Sequence, residues 1–424
     1  MHSAALLVLS LSLFACAAPS HIDPKAVAAT APPTEQASIE RLMRISTHFE
    51  RLPFVKGNDV VLLRDGPATY AAMTAAISSA TQRIDMESYQ FDTAAAAKFA
   101  PLLLRKSAQG VQVHLIYDAW GSMAEDKALF DQLREGGVQV VTYNPLGADG
   151  KLNLDFDRRD HRKLLVVDGA IAVTGGVNVT RAYLNRKGSA SKNSEKMEWR
   201  DTDVRIEGPV VAQFEMLWQN TWREQHGPAL APAPATPGFV RGPSIVQAID
   251  GAPVDGHPVI YETLLSAFAL AKSCIHLTTG FFVPTPQMAE ALQAAARRGV
   301  DVAIVVPANS ESDAARLAGR SHYTDLLEAG VKIYERQNVV LHAKTAVVDG
   351  LWSTVGSSNL DWRSTILNNE IDAVILGREF GAKMEAMFDA DVKASKQITP
   401  QAWAQRGLGE RISETWARML DRVL

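Results

Sequence analysis

At 424 residues the chain is too long for one ordinary domain, so two or three are expected. Its 47% hydrophobic and 21% charged composition is that of a packed globular protein, and no run reaches the roughly 18 apolar residues that cross a bilayer. A formal net charge of −4 carries no whole-chain footprint for nucleic acid, and the two cysteines, Cys16 and Cys274, suggest neither a structural disulfide nor a zinc cluster.

The predicted elements begin after a leader. Ala4 to Ala15 is an apolar run too short to span, ending in Leu13-Phe14-Ala15-Cys16, which resembles a bacterial lipoprotein cleavage site with Cys16 as the acylated terminus. The opening Met1-His2-Ser3 lacks the usual Lys or Arg, so an ordinary leader and a cytoplasmic protein stay open as alternatives. Residues 17–37, rich in Ala, Pro and Thr, read as a tether. A first lobe is expected over 38–226, a Pro-rich linker over 227–243, a second lobe over 244–395 and a helical tail over 396–424.

The two lobes carry the same series of signals. Strand-like Ile84-Asp85-Met86-Glu87-Ser88 corresponds to Ile275-His276-Leu277-Thr278-Thr279. Gly110-Val111-Gln112-Val113 corresponds to Gly299-Val300-Asp301-Val302, and Gly137-Val138-Gln139-Val140 to Gly330-Val331-Lys332-Ile333. Helical patterns lie between them. The alternation predicts α/β sandwiches with a largely parallel sheet. In the tail, Ile412, Trp416, Met419, Leu420 and Val423 recur at intervals of three and four. That spacing predicts a helix packed on the body, with a membrane-surface helix as the alternative.

The third section of each lobe holds one pattern, H-x-K-x4-D-x6-G-x2-N. It is met by His161, Lys163, Asp168, Gly175 and Asn178, and again by His342, Lys344, Asp349, Gly356 and Asn359. His and Lys two apart on a strand share a face, and Asp168-Gly169 and Asp349-Gly350 fit turns into a following strand. The small residues before each Asn, among them Gly176, Ser357 and Ser358, permit close backbone approach to a ligand. Two such units facing each other supply two imidazoles, two ammonium groups and two amides. Phosphodiester chemistry needs these: donors for the phosphoryl oxygens, one nucleophile and one acid. Asp201 and Glu370 form a second matched pair, and a nucleophilic imidazole needs such an acceptor on its other nitrogen.

This constellation resembles the phospholipase D superfamily over residues 54 to 395. The resemblance implies two similar α/β/α lobes related by a pseudo-twofold axis, with one active site between them. It implies a phosphohistidine on His161 with His342 as acid and base, although the residues themselves do not distinguish the two. It further implies phosphate held by Lys163, Lys344, Asn178 and Asn359, with no metal or other cofactor. Glu370 would serve His161 and Asp201 would serve His342, and Asp168 and Asp349 would tie turns to nearby backbone. Several segments resemble the bacterial cardiolipin synthase branch: His114-Leu115-Ile116-Tyr117-Asp118, Trp199-Arg200-Asp201-Thr202, Phe282-Val283-Pro284 and Asn368-Asn369-Glu370. The implied reaction joins two phosphatidylglycerols into cardiolipin and glycerol at a membrane surface, the protein being anchored at Cys16 facing the periplasm or else peripheral. Hydrolysis to phosphatidic acid and a phosphodiesterase acting on nucleic acid remain alternatives, the latter disfavoured by the absence of a basic balance.

Overall fold

The computed structural model describes residues 52–123, 127–145, 157–184, 197–232, 239–251 and 258–419, with a few positions between 37 and 43. The leader with Cys16, nearly all of the tether, and Leu420 and Val423 lie outside the described residues. No helix among the described residues is long and apolar enough to cross a membrane.

In chain order the first half runs β1 (Val55–Arg64), α1 (Asp65–Ser79), β2 (Arg83–Ser88), α2 (Thr93–Ala108), β3 (Gln112–Asp118), α3 (Lys127–Glu135) and β4 (Gln139–Tyr143). It continues with β5 (Lys163–Val167), β6 (Ile171–Gly175), β7 (Trp199–Arg200), β8 (Thr202–Glu207) and α4 (Val211–Glu224). The second half runs β9 (Ser244–Asp250), α5 (Val259–Leu270), β10 (Cys274–Thr279), α6 (Pro286–Arg297), β11 (Asp301–Asn309), α7 (Asp313–Arg320), α8 (Tyr323–Glu328) and β12 (Lys332–Leu341). It ends with β13 (Lys344–Val348), β14 (Trp352–Gly356), α9 (Trp362–Ile366), β15 (Ile371–Leu376), α10 (Arg378–Lys393), β16 (Ser395–Ile398), α11 (Pro400–Ala404) and α12 (Leu408–Arg418).

Local chemistry sets the joints. Asp92 caps α2 by accepting from Ala95 N–H at 2.7 Å, and Thr285 caps α6 by accepting from Met288 N–H at 3.2 Å. The strands β5 and β6 are joined through Asp168 (φ 51°) and Gly169 (φ 61°), and β13 and β14 through Asp349 (φ 55°) and Gly350 (φ 59°). Two consecutive positive φ values make these type I′ turns, whose twist matches the flanking strands.

All the strands form one mixed sheet with the order β16-β12-β11-β10-β13-β14-β15-β9-β1-β8-β6-β5-β2-β3-β4, and β7 pairs with β12. Read outward from the antiparallel β9–β1 pair, the two arms repeat each other strand for strand as far as β12 and β4, and β16 extends the second arm by one strand. The sheet is not largely parallel. Parallel pairing is confined to β2–β3–β4, β10–β11–β12 and the short β7–β12 contact. Strands joined through a helix can run parallel, whereas a two-residue turn forces the motif strands into hairpins.

One apolar cluster lies under α1 and α2 in the first half, another under α5 and α6 in the second. A third is common to both. It joins Phe214, Trp218 and Trp222 of α4, Val204 and Ile206 of β8, Ile371 and Ile375 of β15, and Phe380 and Met384 of α10. The tail forms its helix, α12, but not in the expected orientation: Ile412, Trp416 and Met419 are exposed, and Glu414 and Ala417 face the body.

Candidate active site

Each motif histidine stands just before the strand that its lysine opens: His161 before β5, His342 before β13. Each is tied to the opposite half. His161 N–H donates to the Asn369 carbonyl at 2.9 Å, and His342 N–H to the Arg200 carbonyl at 2.8 Å. Those carbonyls belong to the residues immediately before Glu370 and Asp201. The side chains repeat the exchange: His161 Nδ1 lies 3.0 Å from both Glu370 carboxylate oxygens, and His342 Nδ1 lies 2.8 Å from Asp201 Oδ2. With Nδ1–H given to a carboxylate, Nε2 carries the lone pair. Both rings line one cavity of about 340 Å³. Lys163 and Lys344 are buried, and each Nζ donates to the carbonyl of its own motif histidine.

The two carboxylates receive a further hydroxyl by different routes. Ser357 Oγ donates to Glu370 Oε2 at 2.5 Å. At the matching position the first half has Gly176, where a Cβ would stand 2.1 Å from Asp201 Oδ1. Tyr183 instead donates to Asp201 Oδ2 at 2.7 Å, and its hydroxyl lies 2.9 Å from His342 Nδ1. The matching position in the second half, five residues after the motif Asn, is Ser364, so the residue type is not repeated and the motif spacing does not single out Tyr183. Ring neighbours also differ: Tyr89 meets His161 edge-on at 5.0 Å, and Trp199 tilts over His342 at 5.2 Å.

Burial and paired cations shape the charges. His161 is held well below the usual imidazole range by burial and then by the ammonium groups of Lys163 and Lys344. His342 is lowered by burial and Lys344, less the opposing pull of Asp201. Burial raises Glu370 to about 7. Burial also pushes Asp201 upward, but His342, Lys344 and the Tyr183 hydroxyl outweigh it and hold that carboxyl below its ordinary value. Lys163 is lowered to about 7 by burial and by Lys344. Two desolvated amines thus stand beside the motif histidines, and an anionic phosphodiester near them would favour their charged forms.

The remaining motif residues separate. Asn359 lines the cavity, and its Oδ1 has no hydrogen-bond partner among the described residues. Asn178, its counterpart in the motif, is buried and accepts from Gln90 N–H at 3.2 Å. Ser358 N–H donates to Asp372 at 3.3 Å. Asp168 and Asp349 do not reach the cavity. Asp168 accepts from the N–H groups of Thr81, Gln82 and Arg83 at 2.7 to 2.9 Å, and Asp349 from those of Lys272, Ser273 and Cys274 at 2.7 to 3.1 Å. Glu311, Arg159 and Arg363 line the cavity without belonging to the motif. Among the described residues one group could hold a metal ion, Cys274, His276 and Glu385, with ligand atoms within 4.8 Å of one another; it is not part of the cavity lining. The cysteine count could not reveal it, since one Cys of β10 meets a Glu of α10.

Known proteins resemble this chain over most of its length. The family model described as "Cardiolipin synthase, PLD-like domain" matches residues 73–218 and 264–392. A cardiolipin synthase of Geobacillus kaustophilus is 31% identical over 392 residues, covering 90% of this chain and 76% of its own length. A probable cardiolipin synthase of Bacillus subtilis is 29% identical over 388 residues, 91% of this chain and 76% of the relative. Among solved structures, the phosphatidylserine synthase of Haemophilus influenzae superposes with a TM-score of 0.63 at 14% identity, covering 90% of this chain and 98% of that one. At that identity the likeness concerns the fold.

Proposed function

This chain belongs to the PLD-like cardiolipin synthase family, and from that premise we propose that it transfers a phosphatidyl group from one phosphatidylglycerol to another. The observation that carries the reading is the convergence of two histidines, each with a carboxylate from the other half, on one cavity.

His161 Nε2 attacks phosphorus, and the bond from phosphorus to the glycerol headgroup oxygen breaks. His342, protonated, gives its proton to that oxygen, and glycerol leaves. The terminal hydroxyl of a second phosphatidylglycerol then gives its proton to His342 Nε2 and attacks phosphorus. The N–P bond breaks, giving cardiolipin and restoring both histidines. This order of roles is supported by charge: burial and the ammonium groups of Lys163 and Lys344 favour a neutral His161 as the nucleophile, and ionised Asp201 opposes the lowering at His342 and favours its imidazolium. Lys163, Lys344 and Asn359 hold the phosphoryl oxygens, and Asn178 with the small residues Gly176, Ser357 and Ser358 shapes the floor. Asp168 and Asp349 act on the turns alone.

The test is mass spectrometry of the lipids formed when purified protein meets phosphatidylglycerol alone. Cardiolipin and glycerol in equal amounts, with little phosphatidic acid, are expected. Phosphatidic acid as the main product at every lipid density would move the chain to hydrolysis. Anchoring at Cys16, facing the periplasm, is part of the same reading and rests on the apolar run before that residue. Labelled fatty acid should enter the protein and C16S should stop it; unlabelled protein with Met1 intact would refute the anchor.

A further inference from the structure

We propose that α12 docks the catalytic body on an anionic phospholipid surface beside the cavity mouth; this rests on the lipid-substrate reading. The helix has its polarity reversed relative to the body. Leu408 (73% exposed), Ile412 (50%), Trp416 (66%) and Met419 (68%) all face outward. At about 100° per residue they fall within an arc of about 80°. The side facing the body holds Ala417 and buried Glu414, whose carboxylate takes Arg320 at 3.3 Å and Arg406 at 2.9 Å. An ion pair fixes the helix inward, and its apolar stripe is left on the outside.

Three further observations indicate which surface covers that stripe. Ala417 packs in one cluster with Val283, Ala315 and Ala318, against Phe281, and Ala315 and Phe281 also line the cavity. The helix is therefore fastened to the wall of the site that would receive lipid. Arg411 and Arg418, both exposed, border the stripe, which suits anionic headgroups around an apolar insertion. On the other half, Trp120 lines the cavity and is 50% exposed, and nearby Met123 is 62% exposed. Exposed apolar side chains thus stand at the cavity on the first half and on the outer face of a helix packed against its wall on the second, with a tryptophan in each set.

The experiment uses the full chain and its W416E and I412E/W416E variants with phosphatidylglycerol vesicles. Two quantities are read: vesicle partition by co-sedimentation, and amide hydrogen exchange over residues 408–419 with and without vesicles. Expected are protection of that segment on vesicle addition and a fall of at least about tenfold in partition for the double variant. Turnover of a monomeric short-chain phosphatidylglycerol should stay within about twofold, because neither residue lines the cavity. Unchanged exchange over 408–419 would overturn the proposal, even if another segment carried the chain to the vesicle. So would a self-associated parent that the variants convert to monomer with vesicle partition intact, since the stripe would then be covered by a second copy. Failure of the transferase reading is separate: vesicle docking through α12 with no cardiolipin formed would leave the surface standing.

Discussion

Glu370 and Asp201 occupy matching positions yet carry opposite shifts, and the cause is local. Asp201 receives Tyr183 and His342 in a compact group, whereas burial dominates at Glu370 and raises it to about 7. The proposed nucleophile therefore loses its ionised acceptor as pH falls through about 7. We expect kcat/KM to show an acid limb inflecting near 7 that disappears in E370Q, with the remaining rate down by about 10²-fold or more. D201N should lose rate comparably but keep that limb, since Asp201 stays ionised throughout the range. The stability effect has the opposite sign. A raised carboxyl pKa means the folded state holds a proton that the unfolded chain has released, so ionisation destabilises as pH rises from the ordinary 4.5 through about 7. E370Q should melt above the parent by a margin that is largest above pH 7 and vanishes below 4.5. A margin independent of pH, measured by thermal denaturation, would contradict this account.

At the scale of elements, the motif mixes two kinds of residue that a pattern cannot separate. Asp349 ends β13 at the opposite end from His342 and gathers the N–H groups of residues 272 to 274. D349A should destabilise by about 1–3 kcal/mol through those lost bonds, with kcat of the folded protein within about twofold of the parent. Denaturant titration with parallel kinetics checks both parts, and a large loss of kcat at full folding would place the aspartate in the chemistry after all. The same mixture decides what was legible in the sequence. The repeat, the two His-x-Lys strands and the acidic partners could be read because each recurs at fixed spacing. Tyr183 could not, since Ser364 stands at the matching position and a changed residue type leaves no repeated signal. Pairing direction departs from the expected parallel sheet because an apolar strand signal looks alike whichever way the strand runs beside its neighbours. For α12 the spacing gave the helix correctly, but which side of a helix meets the body depends on Arg320 and Arg406, which are distant from the stripe.

For the whole molecule, the middle core decides how the halves depend on each other. Trp218 and Trp222 of the first half share a cluster with Ile371, Ile375 and Met384 of the second, and β1 pairs with β9 across the centre. Removing either half would bare that apolar layer and open a strand edge. Heating should therefore give one transition, coincident by far- and near-ultraviolet circular dichroism. Residues 38–226 made alone should elute as aggregate; a soluble folded monomer from that segment would contradict this. The exchange of carboxylates across the centre also sets a timetable. A ribosome releases the first half with His161 and Lys163 already made, but Glu370 is more than two hundred residues away and still unsynthesised. Asp201, conversely, waits for His342. Neither imidazole has its partner until most of the chain has emerged and the two arms have closed, so the unfinished protein has no complete site with which to act.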